Sequence, residues 1–343
     1  MAGCNNTQII APTECIGDSL TKINNNFSNL DTALCQVINS SSPSLMGIRL
    51  SYSPTTPTPI TNIKNASNLY IHPYRGTALT FWNTATNTWN LYQLTSILSF
   101  SLGGLAADTN YDIYLYPSGL TFSVEFVAWS SSAPGAALPA RVYQDGVAVK
   151  PGEFNKRLVG CLRTTSIAGQ SEQSFGDNIA GGASPKQYLW NAQNTIPVTC
   201  FSFETGTYTA VGGSSGWTNW RRVNPFSINS GLNNRFSFIV GDNTLVTMIS
   251  QIYANYYANL LHIISYTGIG INNNTIPTLG QGSQIISELR GSDMTPRAQL
   301  MKSFNGSYNY LQMFENVYVG PGKIAPMNEN HSNQTGFLVS IYN

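Results

Sequence analysis

"NYDIYLYPSGLTFSVEFVAW", residues 110–129, decides the fold class. Ile113 and Leu115 alternate with Asp112, Tyr114 and Tyr116. A Pro-Ser-Gly turn follows, and then Leu120, Phe122, Val124 and Phe126 alternate with Thr121, Ser123 and Glu125. A period of two places successive side chains on opposite faces, so the segment reads as an antiparallel hairpin with one buried face. "RVYQDGVAVK" (141–150) reads as a second hairpin, with Asp145-Gly146 as a two-residue turn that accepts positive φ. "NNRFSFIVG" (233–241) and "TGFLVSIYN" (335–343) read as further strands, and "SPKQYLWNAQN" (184–194) as either a strand or a short helix. Such frequent turn signals predict a mainly β chain of two antiparallel β-sandwich or jelly-roll domains, 46–200 and 201–343. The Gly/Ser stretch "AVGGSSGWTNW" (210–220) marks a long loop or boundary within the β part.

Ahead of this body stands "DSLTKINNNFSNLDTALCQVI" (18–38). Leu20, Ile23, Phe27, Leu30, Leu34 and Val37 step by 3, 4, 3, 4 and 3, which is a helical seam. With Leu20, Phe27 and Leu34 at a, the d positions are Ile16, Ile23, Leu30 and Val37, and three heptads run unbroken. The residues between are Asn24, Asn25, Asn26, Ser28 and Asn29, and each Asn costs roughly 0.5 kcal/mol against Ala. A helix so short and so rich in amides is marginal in water on its own. Its seam therefore needs a cover: other copies, its own body, or a groove on a partner. Leucine at a with isoleucine at d disfavours two strands and leans towards three or more. The e and g positions, Asn24, Asn26, Asp31 and Ala33, offer almost no charge pairing, and Asp18 is the N-cap candidate. "NSSSPS" (39–44) ends the helix, and "SPTTPTP" (53–59) suits neither helix nor central strand.

Composition excludes several classes. Apolar residues make up 42% of the 343, enough for a real core, but charged residues only 10%, far below the roughly 25% of ordinary soluble proteins. Net charge is +1, so there is no electrostatic footprint for nucleic acid. "MAGCNNTQII" has no basic n-region and no apolar h-region, so no secretory signal is expected. The late apolar stretch 245–265 is interrupted by Gln251, Asn255 and Asn259 and makes a poor membrane span. The five cysteines, Cys4, Cys15, Cys35, Cys161 and Cys200, have no zinc spacing. They read as buried free thiols, with a disulfide formed after release into an oxidising medium as the other reading.

Chemistry is sparse. His72, His262 and His331 lie in no metal-ligand pattern and beside no nucleophile motif. "GQGSQ" (280–284) lacks the nucleophile-elbow pattern, and "GIG" (268–270) lacks the third glycine of a nucleotide fingerprint and reads as a strand end. No metal, cofactor or catalytic residue is expected. One carboxylate pair, Asp112 and Glu125, has the chance to meet across the hairpin, as glycoside hydrolysis would require. Aromatic residues in polar or turn-rich segments remain: Trp217, Trp220, Tyr253, Tyr256, Tyr257, Tyr308 and Tyr310. Rings flanked by amides and hydroxyls suit sugars, and Trp217, Trp220, Tyr256 and Tyr308 are the candidate glycan contacts. Core or subunit-interface packing is the other use for such rings.

"PTECIGDSLTKINNNFSNLDTAL" (12–34), with its Ile23-Asn24-Asn25-Asn26-Phe27-Ser28-Asn29-Leu30 run, resembles a short N-terminal segment of tail-fibre and other virion proteins of marine and cyanobacterial bacteriophages. Downstream, "LYIHPYRGTALTFWN" (69–83), "SLGGLAADTNYDIYLY" (101–116), "VEFVAWSSS" (124–132), "QDGVAVKPGEFNKRLVGCLRTT" (144–165), "KQYLWNAQN" (186–194), "WRRVN" (220–224) and "YNYLQMFENV" (308–317) are similar to a phage fibre-type β module. "AQNTIPVTC" (192–200) replaces the module's usual basic run, and contacts made there do not carry over. The resemblance implies a virion protein made in the host cytoplasm. Residues 1–45 would attach it to baseplate, tail or capsid partners, and Ile16, Leu20, Ile23, Phe27, Leu30, Leu34 and Val37 would hold a homotrimer. The β body would point outwards to host-surface polysaccharide, with no nucleic acid and no membrane insertion. Low charge suits such a site, since at about 0.7 M salt the Debye length is only about 4 Å. Two other readings stand beside the adsorption fibre. A capsid head fibre, decoration or connector would join the virion without binding the host, and a carbohydrate-active tailspike would cleave host polysaccharide.

Overall fold

The computed structural model describes residues 19–29, 43–176, 184–203, 221–222, 235–251, 254–255, 263–273, 285–289, 293–294, 297–319 and 336–342. Residues 19–29 form one helix, α1. Among the described residues, everything regular after it is strand. The first part holds β1 (Ile48–Ser51), β2 (Ile63–Ala66), β3 (Asn68–Pro73), β4 (Ala78–Asn83), β5 (Thr88–Gln93), β6 (Leu98–Ser101), β7 (Asn110–Ser118) and β8 (Thr121–Ala128). Next come β9 (Val142–Gln144), β10 (Val147–Lys150), β11 (Glu153–Arg163), β12 (Ser171–Ser174), β13 (Lys186–Gln187), β14 (Leu189–Asn191) and β15 (Pro197–Phe203). The last part holds β16 (Arg221–Arg222), β17 (Arg235–Val240), β18 (Thr244–Gln251), β19 (Ala254–Asn255), β20 (Ile263–Ile271) and β21 (Ile285–Leu289). It ends with β22 (Asp293–Met294), β23 (Arg297–Phe304), β24 (Ser307–Val319) and β25 (Gly336–Tyr342).

Turn chemistry sets the hairpins. Asp145 and Gly146, both at positive φ (49° and 81°), join β9 to β10, as a two-residue turn matched to strand twist requires. The β7–β8 hairpin also forms, but its turn lies later than the sequence suggested. Ser118 pairs with Thr121 across Gly119, whose φ is 62°, while Pro117 stays in β7 opposite Phe122. Leu120 therefore sits at the turn tip, fully exposed, and leaves the buried row to which its alternation assigned it. Residues 53–59 carry no strand, and 184–194 resolves into β13 and β14 rather than a helix.

Among the described residues two large cores result, each between stacked antiparallel layers, so the fold is a mainly β sandwich architecture. The first lies between sheet β1-β3-β6, with hairpin β4–β5, and sheet β8-β7-β11-β10-β9. It holds Ile48, Leu50, Leu69, Ile71, Leu79, Phe81, Ile113, Leu115 and Leu162. The second lies between the β17-β24-β20 region and sheet β15-β25-β18-β23, around Phe236, Phe238, Met248, Leu311, Phe337 and Val339.

The cores are joined. Trp129, Cys161 and Trp190, from the first part of the chain, belong to the second core. One sheet runs β2-β12-β13-β17-β24-β20-β21, and its β13–β17 contact is the one parallel pair among the described residues. The join expected at residue 200 falls inside β15, which pairs along its length with β25. The expected single buried face of the 110–129 hairpin is also corrected. Asp112 and Tyr114 are as buried as Ile113 and Leu115: on their side of β7, Trp129 and Arg141 bond the Asp112 carboxylate, and the Tyr114 hydroxyl lies against it.

Candidate functional site

The helix comes first. Leu20, Ile23 and Phe27 share one face of α1 and are 56%, 38% and 66% exposed, whereas Ser19, Lys22 and Asn26 are half-buried. The apolar stripe of an amphipathic helix normally faces a core, and on the single chain this one faces outward. Ile16, Leu30, Leu34 and Val37 lie outside the described residues. The segment after the helix is fastened to the body through Arg157, which is 1% exposed. Its Nη1 donates to the carbonyl oxygens of Pro43, Leu45 and Thr80 at 2.9, 3.0 and 3.0 Å. Burial pushes this guanidinium down to about 10. Nε and Nη2 have no hydrogen-bond partner.

The expected aromatic contacts divide. Trp217, Trp220 and Tyr256 lie outside the described residues. Tyr308 is corrected: it is 6% exposed, with the Arg163 guanidinium 3.9 Å from its ring centre and Tyr188 edge-on at 6.1 Å. Its ring is occupied inside the protein and offers no face to a sugar. Tyr310 is likewise buried, under Arg235 at 3.4 Å.

The carboxylate pair is also engaged. Asp112 Oδ1 accepts from Arg141 Nη2 at 2.7 Å and from Trp129 Nε1 at 3.0 Å, with both ionic side chains nearly fully buried. Arg141 also donates to the Gly241 carbonyl oxygen. Glu125 bonds Lys150 at 2.5 Å and Lys156 at 2.6 Å, and both lysines also meet Glu153. Partial burial pushes the Glu125 carboxyl up, but its two lysine hydrogen bonds outweigh that and leave it below the usual range. Each carboxylate thus has its own cations, an arrangement suited to holding strands together and not to passing a proton.

His72 is buried, and its Nε2 lies 2.8 Å from the Ser53 carbonyl oxygen. Cys161 and Cys200 are free and buried; burial pushes the first thiol up and the second to about 12. His262, His331, Cys4, Cys15 and Cys35 lie outside the described residues. Among the described residues, no group of three or more His, Cys, Asp or Glu side chains could hold a metal, and no helix is long and apolar enough to cross a membrane.

No protein-family model matches the chain, and no curated protein does. Among solved structures it is similar to the Eiger TNF of S. frugiperda, at 11% identity and a TM-score of 0.22, over 43% of this chain and 92% of that one. It is also similar to the Gx strain of infectious bursal disease virus, at 8% identity and a TM-score of 0.22, over 90% and 81%. The mosquito-larvicidal Cry4Aa toxin of Bacillus thuringiensis gives 7% and 0.22, over 90% and 54%. Overlaps this shallow carry no inference about function.

Two features escaped the sequence reading. The strand-free segment after β1 lines an open cleft of about 450 Å³ with Ser53, Thr55, Thr56, Thr58, Thr61 and Ile60. Nothing in a Pro/Thr run says that it will enclose space. The second feature is the outward side of β18, β23 and β25, where Leu245, Ile249, Met301, Leu338 and Tyr342 are exposed. Here a signal existed: in "TLVTMISQ" (244–251) apolar residues occupy both phases of the alternation, as in a strand covered on both sides.

Proposed function

We propose that the protein is a structural component of a virion appendage, a homotrimeric fibre or fibre-like decoration attached through residues 1–45. The observation that carries this reading is the uncovered apolar face of α1. A helix this poor in intrinsic helix formers gains its stability from burial of Leu20, Ile23 and Phe27 against something outside its own body. The heptad spacing and the leucine/isoleucine choice support three copies. The likeness of residues 12–34 to a phage attachment segment supports a particle as the place of docking. The charge-poor composition supports work in high salt.

Incorporation into particles tests the reading. Virions assembled with a chain lacking residues 1–45 are expected to lose the protein, while the full chain is retained. Equal incorporation of both overturns attachment through this segment.

A second reading gains from the burial of Tyr308, which removes one of four candidate sugar contacts. In it the protein decorates or connects parts of the particle and meets no receptor. Sedimentation of the purified chain with host cells separates the two: binding lost in Trp217→Ala, Trp220→Ala or Tyr256→Ala supports adsorption, and no binding supports decoration. In both readings the protein acts by binding and not by catalysis, which the separate engagement of Asp112 and Glu125 by their own cations supports.

A further inference from the structure

Sheet β15-β25-β18-β23 turns one face to the second core, burying Val198, Val246, Met248, Leu300, Val339 and Ile341. A sheet with its other face in water carries polar residues at the alternate positions. This one carries Leu245, Ile249, Met301, Leu338 and Tyr342, at 37%, 43%, 66%, 40% and 51% exposure. Ile249 sits opposite Leu338 and Leu338 opposite Phe201, an apolar row across three strands, while in the next row Met301 flanks Thr247, Ser340 and Thr199. Arg297, at the end of β23, is the one charge among the described outward positions.

We propose that this sheet face packs against a second copy of the chain, a proposal that rests on the self-assembling reading above. Charge supports a copy as the occupant. With no carboxylate on the described face and its one cation at the margin, two copies can meet without burying like charges, and a charged ligand finds no counterpart. Area calls for a second contact. Four strands at about 4.8 Å spacing and seven residues at about 3.3 Å give a face of roughly 400 Å², against about 800 Å² per partner in a stable interface. The sheet alone falls short. The stripe of Leu20, Ile23 and Phe27 is a second exposed apolar surface on the same chain. Another copy carries both surfaces, so two weak contacts form as one event. A different partner would have to match both.

Light scattering of the full chain over a dilution series tests the proposal, with Ile249→Glu/Met301→Glu, Met301→Glu alone and Phe27→Asp for comparison. The wild type is expected at a multiple of the chain mass. Both sheet variants are expected to dissociate at concentrations at least about tenfold higher than the wild type does, with unchanged far-UV circular dichroism. If the double variant loses its β signal, Met301→Glu decides alone, since substitution at so exposed a position is normally tolerated. Sheet variants that dissociate at the wild-type concentration overturn the proposal. In that case dissociation by Phe27→Asp leaves the helix seam standing as the site of assembly. A wild type that is monomeric throughout overturns both.

Discussion

Asp112 is where the two cores meet at the scale of a single residue. Its carboxylate stands on β7 of the first core and is held by Arg141, which in turn reaches the Gly241 carbonyl oxygen in the second half. Removing one partner of a buried ion pair leaves an uncompensated charge, at a cost of about 3–5 kcal/mol. Arg141→Met is therefore expected to destabilise the fold by that amount in urea titration. Asp112→Asn in the same chain should recover most of the loss, because the amide oxygen still accepts from Trp129 Nε1 without a charge to bury. Acid stability follows from two other residues. Burial lowers His72 below its usual 6.5, only partly offset by the hydrogen bond to Ser53, so the fold selects the neutral ring. That contribution is complete above pH 6.5 and declines as pH falls from there through the folded value. Glu125 lies below its usual 4.5, so its contribution is complete above pH 4.5 and is lost as pH falls through its own folded value. Melting temperature should thus fall in two stages on acidification, and His72→Gln should remove the first stage while leaving the second.

At the scale of elements, β11 is the strand that everything crosses. It pairs with β7, β10 and β14, and its register slips between Leu158 and Gly160. A Cβ on Gly160 would lie 2.3 Å from the Trp190 carbonyl oxygen and 2.6 Å from Leu50 Cδ1. Gly160→Ala is expected to cost at least about 2 kcal/mol through overpacking. Gly104→Ala, where nothing lies within 4 Å, should stay within about 0.5 kcal/mol of the wild type. Thermal melts of the two variants check the contrast. Strands were legible from sequence because alternation is local: Ile113 and Leu115 betray one buried face within a few residues. The burial of Asp112 and Tyr114 was not legible, because alternation within the strand gives no sign that Trp129 and Arg141 fold back onto Asp112 from beyond the hairpin's paired residues. Leu120 misled because an apolar residue in phase with a strand is read as core, and only the Gly119 backbone places it at the tip. Tyr308 misled for the opposite reason: its polar neighbours, Ser307 and Asn309, are themselves buried. The helix seam was legible residue by residue, since three apolar side chains on one face need no tertiary information to be seen.

At the scale of the whole molecule, the question is whether the halves are two folding units. The second core takes Trp129, Cys161, Trp190, Val198 and Cys200 from before residue 201. Gly241 sits so close to Trp190 that an added Cβ would come within 2.4 Å of the indole. The sheet holding β17, β24 and β20 is continued by β13, β12 and β2 from the first half. A chain of residues 201–343 alone would lose most of β15, and with it one flank of β25. It would also take Trp129 and Trp190 out of the core they share with Phe236 and Val240. Each large apolar side chain left uncovered costs about 1.5–3 kcal/mol, against a typical total stability of about 5–15 kcal/mol. Three or four such losses exhaust it. Residues 201–343 expressed alone are therefore expected to lack a cooperative melt, and residues 43–200 to melt well below the full chain. Co-expression of the two pieces should restore a single transition. A cooperative transition in 201–343 alone would show that the second sandwich closes its core without Trp129 and Trp190, and that the shared sheet is contact between two finished domains.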